Sequence, residues 1–305
     1  MLIGTAGLLT TSDLLTKGTG MNIVYLNGQY MPMQEAKISP MDRGFLFGDG
    51  VYEVIPSYLG KALGFDLHLA RLNRNLKETD IQLGLEHKDW RTILDTLLER
   101  NNGENVGVYL QVSRGADTKR LHAYPKGIAP TVFAFSFDIA AQKLADKSTI
   151  TGLKVSTEQD QRWSRCHIKS TSLLGNLMHY QHGQSAGVNE TILYNSDNQL
   201  TEASACNVFV VKNGVLITPP LDHQLLGGIT RHILLDIIRK EGLLEVQERI
   251  IDMSEVRQAD EIWLTSSSKE IAPVIELDKQ AVGDGQVGDI WQSVQATFNR
   301  HKFDY

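Results

Sequence analysis

Three short stretches of the chain carry residue types that can do chemistry together. The first is Arg165-Cys166-His167-Ile168-Lys169-Ser170. A lysine amine set between an apolar and a small residue can attack a carbonyl and form a Schiff base. A single lysine is ordinarily a surface residue, so this stretch decides nothing alone. The second, Thr201-Glu202-Ala203-Ser204-Ala205-Cys206-Asn207-Val208-Phe209, places a carboxylate among small residues where a strand begins. The third, Leu226-Gly227-Gly228-Ile229-Thr230-Arg231, runs directly into a helical pattern. Two glycines before a helix N-terminus leave backbone N–H groups open to an anion, and Thr230 adds a hydroxyl. The same Gly-Gly pair also suits an ordinary turn.

These groups need strands and helices to hold them. Leu69, Leu72 and Leu76 recur at helical spacing, and Trp90, Ile93, Leu94, Leu97 and Leu98 form a stronger amphipathic stripe. Asn101-Asn102-Gly103 is a fitting stop for that second helix. Val106 to Arg114 and Thr131 to Asp138 are expected strands, the first setting Val108, Leu110 and Val112 against Tyr109, Gln111 and Ser113. Asn207 to Lys212 and Val215 to Thr218 flank Asn213-Gly214, a strong hairpin signal. Ile233 to Lys240 reads as a helix ending near Gly242, and Glu261 to Thr265 as a strand. The fold class that follows is α+β.

At 305 residues the chain is long for one core, which favours two domains. Periodicity fades between residues 139 and 150, where the boundary is expected. A small N-terminal α/β domain then covers residues 21–140, and a larger C-terminal domain carrying Lys169 covers 147–305. Met21 opens the first strand pattern and reads as the functional start, which makes residues 1–20 an N-terminal extension. That segment has no basic start and no long apolar run, so it suits neither a signal peptide nor a membrane span. A hydrophobic content of 42%, a charged content of 22% and a net charge of -6 describe a globular chain with no basic face for nucleic acid or membrane. Two cysteines, Cys166 and Cys206, make no disulfide framework and suit the cytoplasm. His179 and His182 are three apart in an expected helix, but no carboxylate or cysteine cluster accompanies them, so no metal is assigned.

Taken together, the Lys169, Glu202 and Gly228-Ile229-Thr230-Arg231 segments resemble the motifs of fold-type-IV, class IV aminotransferases. The resemblance extends to Asp42-Arg43-Gly44, to Phe47-Gly48-Asp49-Gly50-Val51-Tyr52-Glu53, to His68-Leu69-Ala70-Arg71-Leu72 and to Thr265-Ser266-Ser267. It implies a pyridoxal 5′-phosphate cofactor joined to Lys169, which also moves the substrate proton. It implies further that Glu202 pairs with the pyridine nitrogen. Arg71, Ile229, Thr230, Ser266 and Ser267 would then serve the phosphate.

Substrate choice rests on another segment, Arg120-Leu121-His122, which follows Ser113-Arg114-Gly115. Residues two apart on an extended segment point the same way and can share a carboxylate. A basic cluster in a loop is also commonly just solvated. The Arg-x-His pair is similar to the carboxylate trap of the D-amino acid aminotransferases, where it comes from the neighbouring subunit, and Tyr52 matches the tyrosine that completes it. That likeness implies a homodimer exchanging amino groups between D-amino acids, such as D-alanine and D-glutamate, and 2-oxo acids. Branched-chain L-amino acid transamination, aminodeoxychorismate lyase activity and a non-catalytic cofactor-binding role are the alternatives on the same scaffold.

Overall fold

The computed structural model describes residues 22–305; the expected extension and the expected start at Met21 lie outside them. Strands β1 (Ile23–Leu26) and β2 (Gln29–Pro32) form a hairpin, followed by a short helix, α1 (Arg43–Phe47), and by β3 (Gly50–Tyr58) and β4 (Lys61–Ala62). Two longer helices, α2 (Phe65–Glu78) and α3 (His87–Asn101), precede β5 (Asn105–Ser113) and β6 (Thr131–Asp138). The six strands make one antiparallel sheet in the order β2-β1-β6-β5-β3-β4. Alternation along β5 explains its seating. Val108, Leu110 and Val112 are buried while Tyr109 and Gln111 are half-exposed. Ser113 departs from the expected two-faced pattern: it is buried because its hydroxyl donates to Asp42. The leucines of α2 and the Trp90 stripe of α3 close the core on this sheet. Helix α3 stops at Asn102, whose φ of 50° is left-handed.

The remainder builds a mixed sheet. Its elements are β7 (Leu153–Gln159), α4 (Leu174–Ser185), β8 (Glu190–Tyr194), β9 (Leu200–Ala203), β10 (Asn207–Lys212) and β11 (Val215–Thr218). They continue with α5 (Ile229–Glu241), β12 (Glu245–Glu248), α6 (Met253–Arg257), β13 (Glu261–Ser266), β14 (Glu270–Leu277), β15 (Gln280–Ala281) and α7 (Asp289–His301). The strand order is β12-β11-β10-β13-β14-β7-β8-β9, with β15 beside β14. The β10–β11 hairpin turns at Asn213 and Gly214, both with positive φ, as a two-residue turn between twisted strands requires. Helix α5 starts earlier than its apolar stripe suggests, at Ile229, and ends at a left-handed Gly242. It packs with α7 through Ile233, Leu234, Ile237, Trp291 and Phe298. The architecture is α+β. Among the described residues no helix is long and apolar enough to cross a membrane.

Val51 on β3 forms an isolated backbone bridge with Ser170, in the segment between β7 and α4. Helix α4 is tied closely to β8: a Cβ on Gly183 would lie 2.7 Å from Thr191 Oγ1 and 3.2 Å from the Glu190 carbonyl oxygen. Alanine gains about 1 kcal/mol over glycine in a free helix, but overpacking a tight contact costs about 1–3 kcal/mol. The second effect wins here. Gly183→Ala is expected to lower the urea midpoint, and a raised midpoint would contradict this close seating of α4.

Candidate active site

A cavity of about 340 Å³ is lined from both sheets. β3 contributes Tyr52, α2 contributes Arg71, and the segment after β7 contributes Lys169. Glu202 comes from β9, Ile229 and Thr230 from the start of α5, and Ser266 and Ser267 from the end of β13. The sequence-selected residues therefore converge, with two exceptions. Arg120 and His122 do not line this cavity. They lie in the loop between β5 and β6, and both side chains rest on Phe47, the Arg120 guanidinium carbon 5.0 Å and the His122 ring centre 5.6 Å from its centroid. Both therefore pack against the same ring.

Lys169 is positioned by backbone. The Tyr52 N–H donates to the Lys169 carbonyl at 3.0 Å, and the Thr171 N–H to the Gly50 carbonyl at 2.9 Å. Buried Ile168 anchors the segment in the first core. The half-buried Lys169 Nζ lies 4.2 Å from the centre of the Tyr52 ring. It makes no ion pair among the described residues, so its amine is free to serve as a nucleophile.

Glu202 is buried, and burial raises its carboxyl above the ordinary value, outweighing the opposing pull of Arg162 and the Leu226 amide. Arg162 Nη1 lies 2.5 Å from Glu202 Oε1, and the Leu226 N–H donates to Oε2 at 3.1 Å. The same guanidinium donates to Asp160 at 2.7 Å, and Asp160 accepts from Thr201 at 3.2 Å. Arg162 escaped the sequence reading because its partner lies forty positions away. Only the neighbouring Asp160 hinted at a paired arginine.

The third part of the site gathers donors. Gly228 caps α5 without any side-chain hydrogen bond, which leaves the first amides of the helix open. A Cβ on Gly228 would fall 2.1 Å from Asn207 Oδ1, so only glycine fits. Arg71 donates through Nε and Nη2 to the two oxygens of Glu53, both at 2.7 Å, and through Nη1 to the Gly227 carbonyl at 2.8 Å. His68 Nδ1 lies 2.7 Å from the same carboxylate, and all three side chains are buried. Burial alone would raise Glu53, yet Arg71 and His68 override it and hold the carboxyl at about 2. Glu53 and His68 stood in the sequence motifs, but nothing in their spacing showed that they orient Arg71. Thr265 also lines the cavity, and its buried hydroxyl has no hydrogen-bond partner among the described residues. Cys166 and Cys206 line the cavity as well, and burial pushes their thiols up to about 12 and about 11.

An open helix N-terminus, a guanidinium and an orphaned hydroxyl suit a phosphate. A buried carboxylate suits a protonated ring nitrogen, and an unpaired lysine amine suits an aldehyde. The donor set therefore fits pyridoxal 5′-phosphate.

Comparison with known proteins agrees. The family model for class IV aminotransferases matches residues 50–277. The D-alanine aminotransferase of Bacillus licheniformis is 38% identical over 272 residues, covering 89% of this chain and 94% of that protein. That of Staphylococcus haemolyticus is 34% identical over 284 residues, covering 92% and 98%. Among solved structures, the branched-chain amino acid aminotransferase of Escherichia coli superposes with a TM-score of 0.85 at 22% identity, covering 92% of this chain and 94% of that one. The branched-chain aminotransferase of Thermoproteus uzoniensis, solved with norvaline, gives 0.81 at 23% identity, covering 93% and 96%. At these identities the solved structures show the shared fold. The family match spans the lysine, the buried carboxylate and the donor cluster alike, and the chain belongs to the class IV aminotransferase family.

Proposed function

We propose that the protein catalyses reversible amino transfer between D-amino acids, of the D-alanine and D-glutamate type, and 2-oxo acids such as pyruvate and 2-oxoglutarate. The observation that carries the reading is the unpaired Lys169 amine facing Tyr52 in a cavity that also holds the buried Glu202–Arg162 pair. The names of the two D-alanine aminotransferase relatives support the D-amino acid class.

Pyridoxal 5′-phosphate, when bound, supplies an electrophilic carbon for the substrate's amino group and a ring that draws electrons from its Cα. Lys169 tethers that group, and its Nζ then takes the proton leaving the substrate Cα. Glu202 faces the ring nitrogen and favours a proton there, and Arg162 holds Glu202 in place and favours its charged form against burial. Arg71, the Ile229 and Thr230 amides, Ser266, Ser267 and the orphaned Thr265 hydroxyl hold the phosphate. Tyr52 and, across a dimer, Arg120 and His122 of the partner subunit bind the substrate carboxylate.

A homodimer is supported by the outward faces. Leu174, Leu177 and Met178 of α4 and Phe45 of α1 are exposed, apolar side chains of the kind a partner subunit would cover. Two buried free thiols favour a cytoplasmic setting. The two sheets support a small domain over residues 21–140 and a larger one over 147–305.

Three outcomes are expected. Holoenzyme mixed with D-alanine and no acceptor releases pyruvate in a single turnover, while L-alanine does not. A response to L-alanine alone would reverse the stereochemical assignment, and pyruvate from aminodeoxychorismate without an acceptor would indicate a lyase. Lys169→Ala loses turnover by about 10⁴-fold, and retained activity would remove Lys169 from the chemistry. The third concerns Glu53. Its folded carboxyl is held at about 2 against an ordinary 4.5, so its charge stabilises the fold fully above 4.5 and that gain is lost as pH falls toward 2. The melting-temperature advantage of the wild type over Glu53→Gln should shrink as pH falls from 4.5 to 2. An advantage undiminished across that window would show that Glu53 is not the charged partner of Arg71.

A further inference from the structure

The loop between β5 and β6 has no regular structure over most of its length, yet it is held at base and tip by two consecutive residues. Asp42, the N-cap of α1, holds the base: Oδ1 accepts from Ser113 at 2.7 Å and Oδ2 from Thr131 at 2.6 Å, the last residue of β5 and the first of β6. Gly44 allows this approach, since a Cβ there would lie 2.7 Å from Ser113 Cβ. Arg43 holds the tip. Its Nη1 donates to the carbonyls of Leu121 at 2.6 Å and Ala123 at 3.4 Å, and its Nη2 to that of His122 at 3.3 Å. Its Nε donates to Asp49 at 2.7 Å, and Asp49 also accepts from Arg114 at 2.8 Å. Arg114 in turn lies 3.5 Å beneath the Tyr124 ring. Burial alone would raise the Asp49 carboxyl, but Arg114 and Arg43 more than offset it and hold it below its ordinary value.

Arg43 is itself buried, so its charge serves no solvent-facing purpose. A single planar guanidinium that collects three successive carbonyls dictates the path of the backbone between them. That path fixes where Arg120 and His122 emerge, and both settle on Phe47, four residues beyond Arg43 on the same short helix.

We propose that Arg43 is a positioning residue for substrate recognition: through Leu121, His122 and Ala123 it sets the Arg120–His122 pair that receives the substrate carboxylate. The inference rests on the reading of that pair as the carboxylate trap. Arg43 touches neither substrate nor cofactor, so its loss acts on carboxylate binding and leaves the lysine chemistry in place.

The test compares Arg43→Gln, Arg43→Lys, Tyr124→Ala and Arg120→Ala as holoenzymes. Arg43→Gln should raise KM for D-alanine about 10- to 100-fold with kcat within about threefold. Affinity for pyridoxal 5′-phosphate should not change. Binding of propionate, an unreactive carboxylate, should weaken in parallel, and amide hydrogen exchange at residues 120–124 should accelerate. Arg43→Lys keeps the charge without the fork and should recover only part of the loss. If Arg43→Gln fails to fold, Tyr124→Ala, at an exposed ring, must still raise KM and speed exchange. An unchanged KM in both Arg43→Lys and Tyr124→Ala, or a fall confined to kcat, would overturn the proposal. Arg120→Ala separates the positioning role from the trap itself. If it raises KM while the Arg43 and Tyr124 variants do not, the positioning role alone fails. If it leaves KM and propionate binding untouched, the trap fails and the proposal with it. A mixed dimer of Arg43→Gln and Lys169→Ala chains has one working lysine, paired with an intact loop from the partner subunit. It should show the wild-type KM, and a raised KM would place the effect of Arg43 inside its own chain's cavity.

Discussion

A carboxylate taken wholly out of water must be repaid by partners that reach it from several directions, and Glu53 is such a group. Arg71 covers both of its oxygens, His68 covers one, and the remaining Arg71 nitrogen reaches the Gly227 carbonyl just before α5. One buried charge thereby ties β3 to α2 and to the turn that opens the second helix end. β3 is also the strand whose backbone grips Lys169 through the Tyr52 N–H and the bridge to Ser170. The lysine, the arginine and the helix N-terminus are consequently referenced to a single strand. Removing one partner of such a cluster leaves an uncompensated charge, which is more damaging than losing a surface pair.

Local signals in the sequence account for much of the fold. Asn213-Gly214, the helix stops at Asn102 and Gly242, and the alternation along β5 each depend on backbone preferences within a few residues. The elements that stay hidden lack such local signals. β7 lies between β14 and β8, yet its Lys154, Ser156 and Glu158 break the apolar run expected of an inner strand. β14 carries Pro273 in its interior, ordinarily a mark against a strand. Helix α4 buries His179 and Gly183 and turns leucines outward, the reverse of the usual face, so its periodicity points away from its own chain's core.

The site divides in the same way. Lys169, Glu202 and the Gly-Gly turn are recognisable because each needs particular neighbours in sequence. Arg162, Glu53, His68 and Asn207 act on them from afar, and their contribution is geometry. Asn207 illustrates the point: its amide donates to the Leu226 carbonyl at 2.7 Å and its Oδ1 occupies the space a side chain on Gly228 would need. Such pairings follow from strand order, which no local pattern encodes.

The two thiols on the cavity wall bear on chemical selectivity. A chamber suited to an aldehyde-bearing cofactor contains three groups able to attack it, one amine and two sulfurs. Sulfur is the better nucleophile when ionised, and a thiolate at Cys166 or Cys206 would compete for the same carbon. Their burial pushes both thiols well above the usual range and so favours the protonated form near neutral pH. The burial of the sulfurs therefore also acts as a protecting group, reserving the aldehyde for nitrogen.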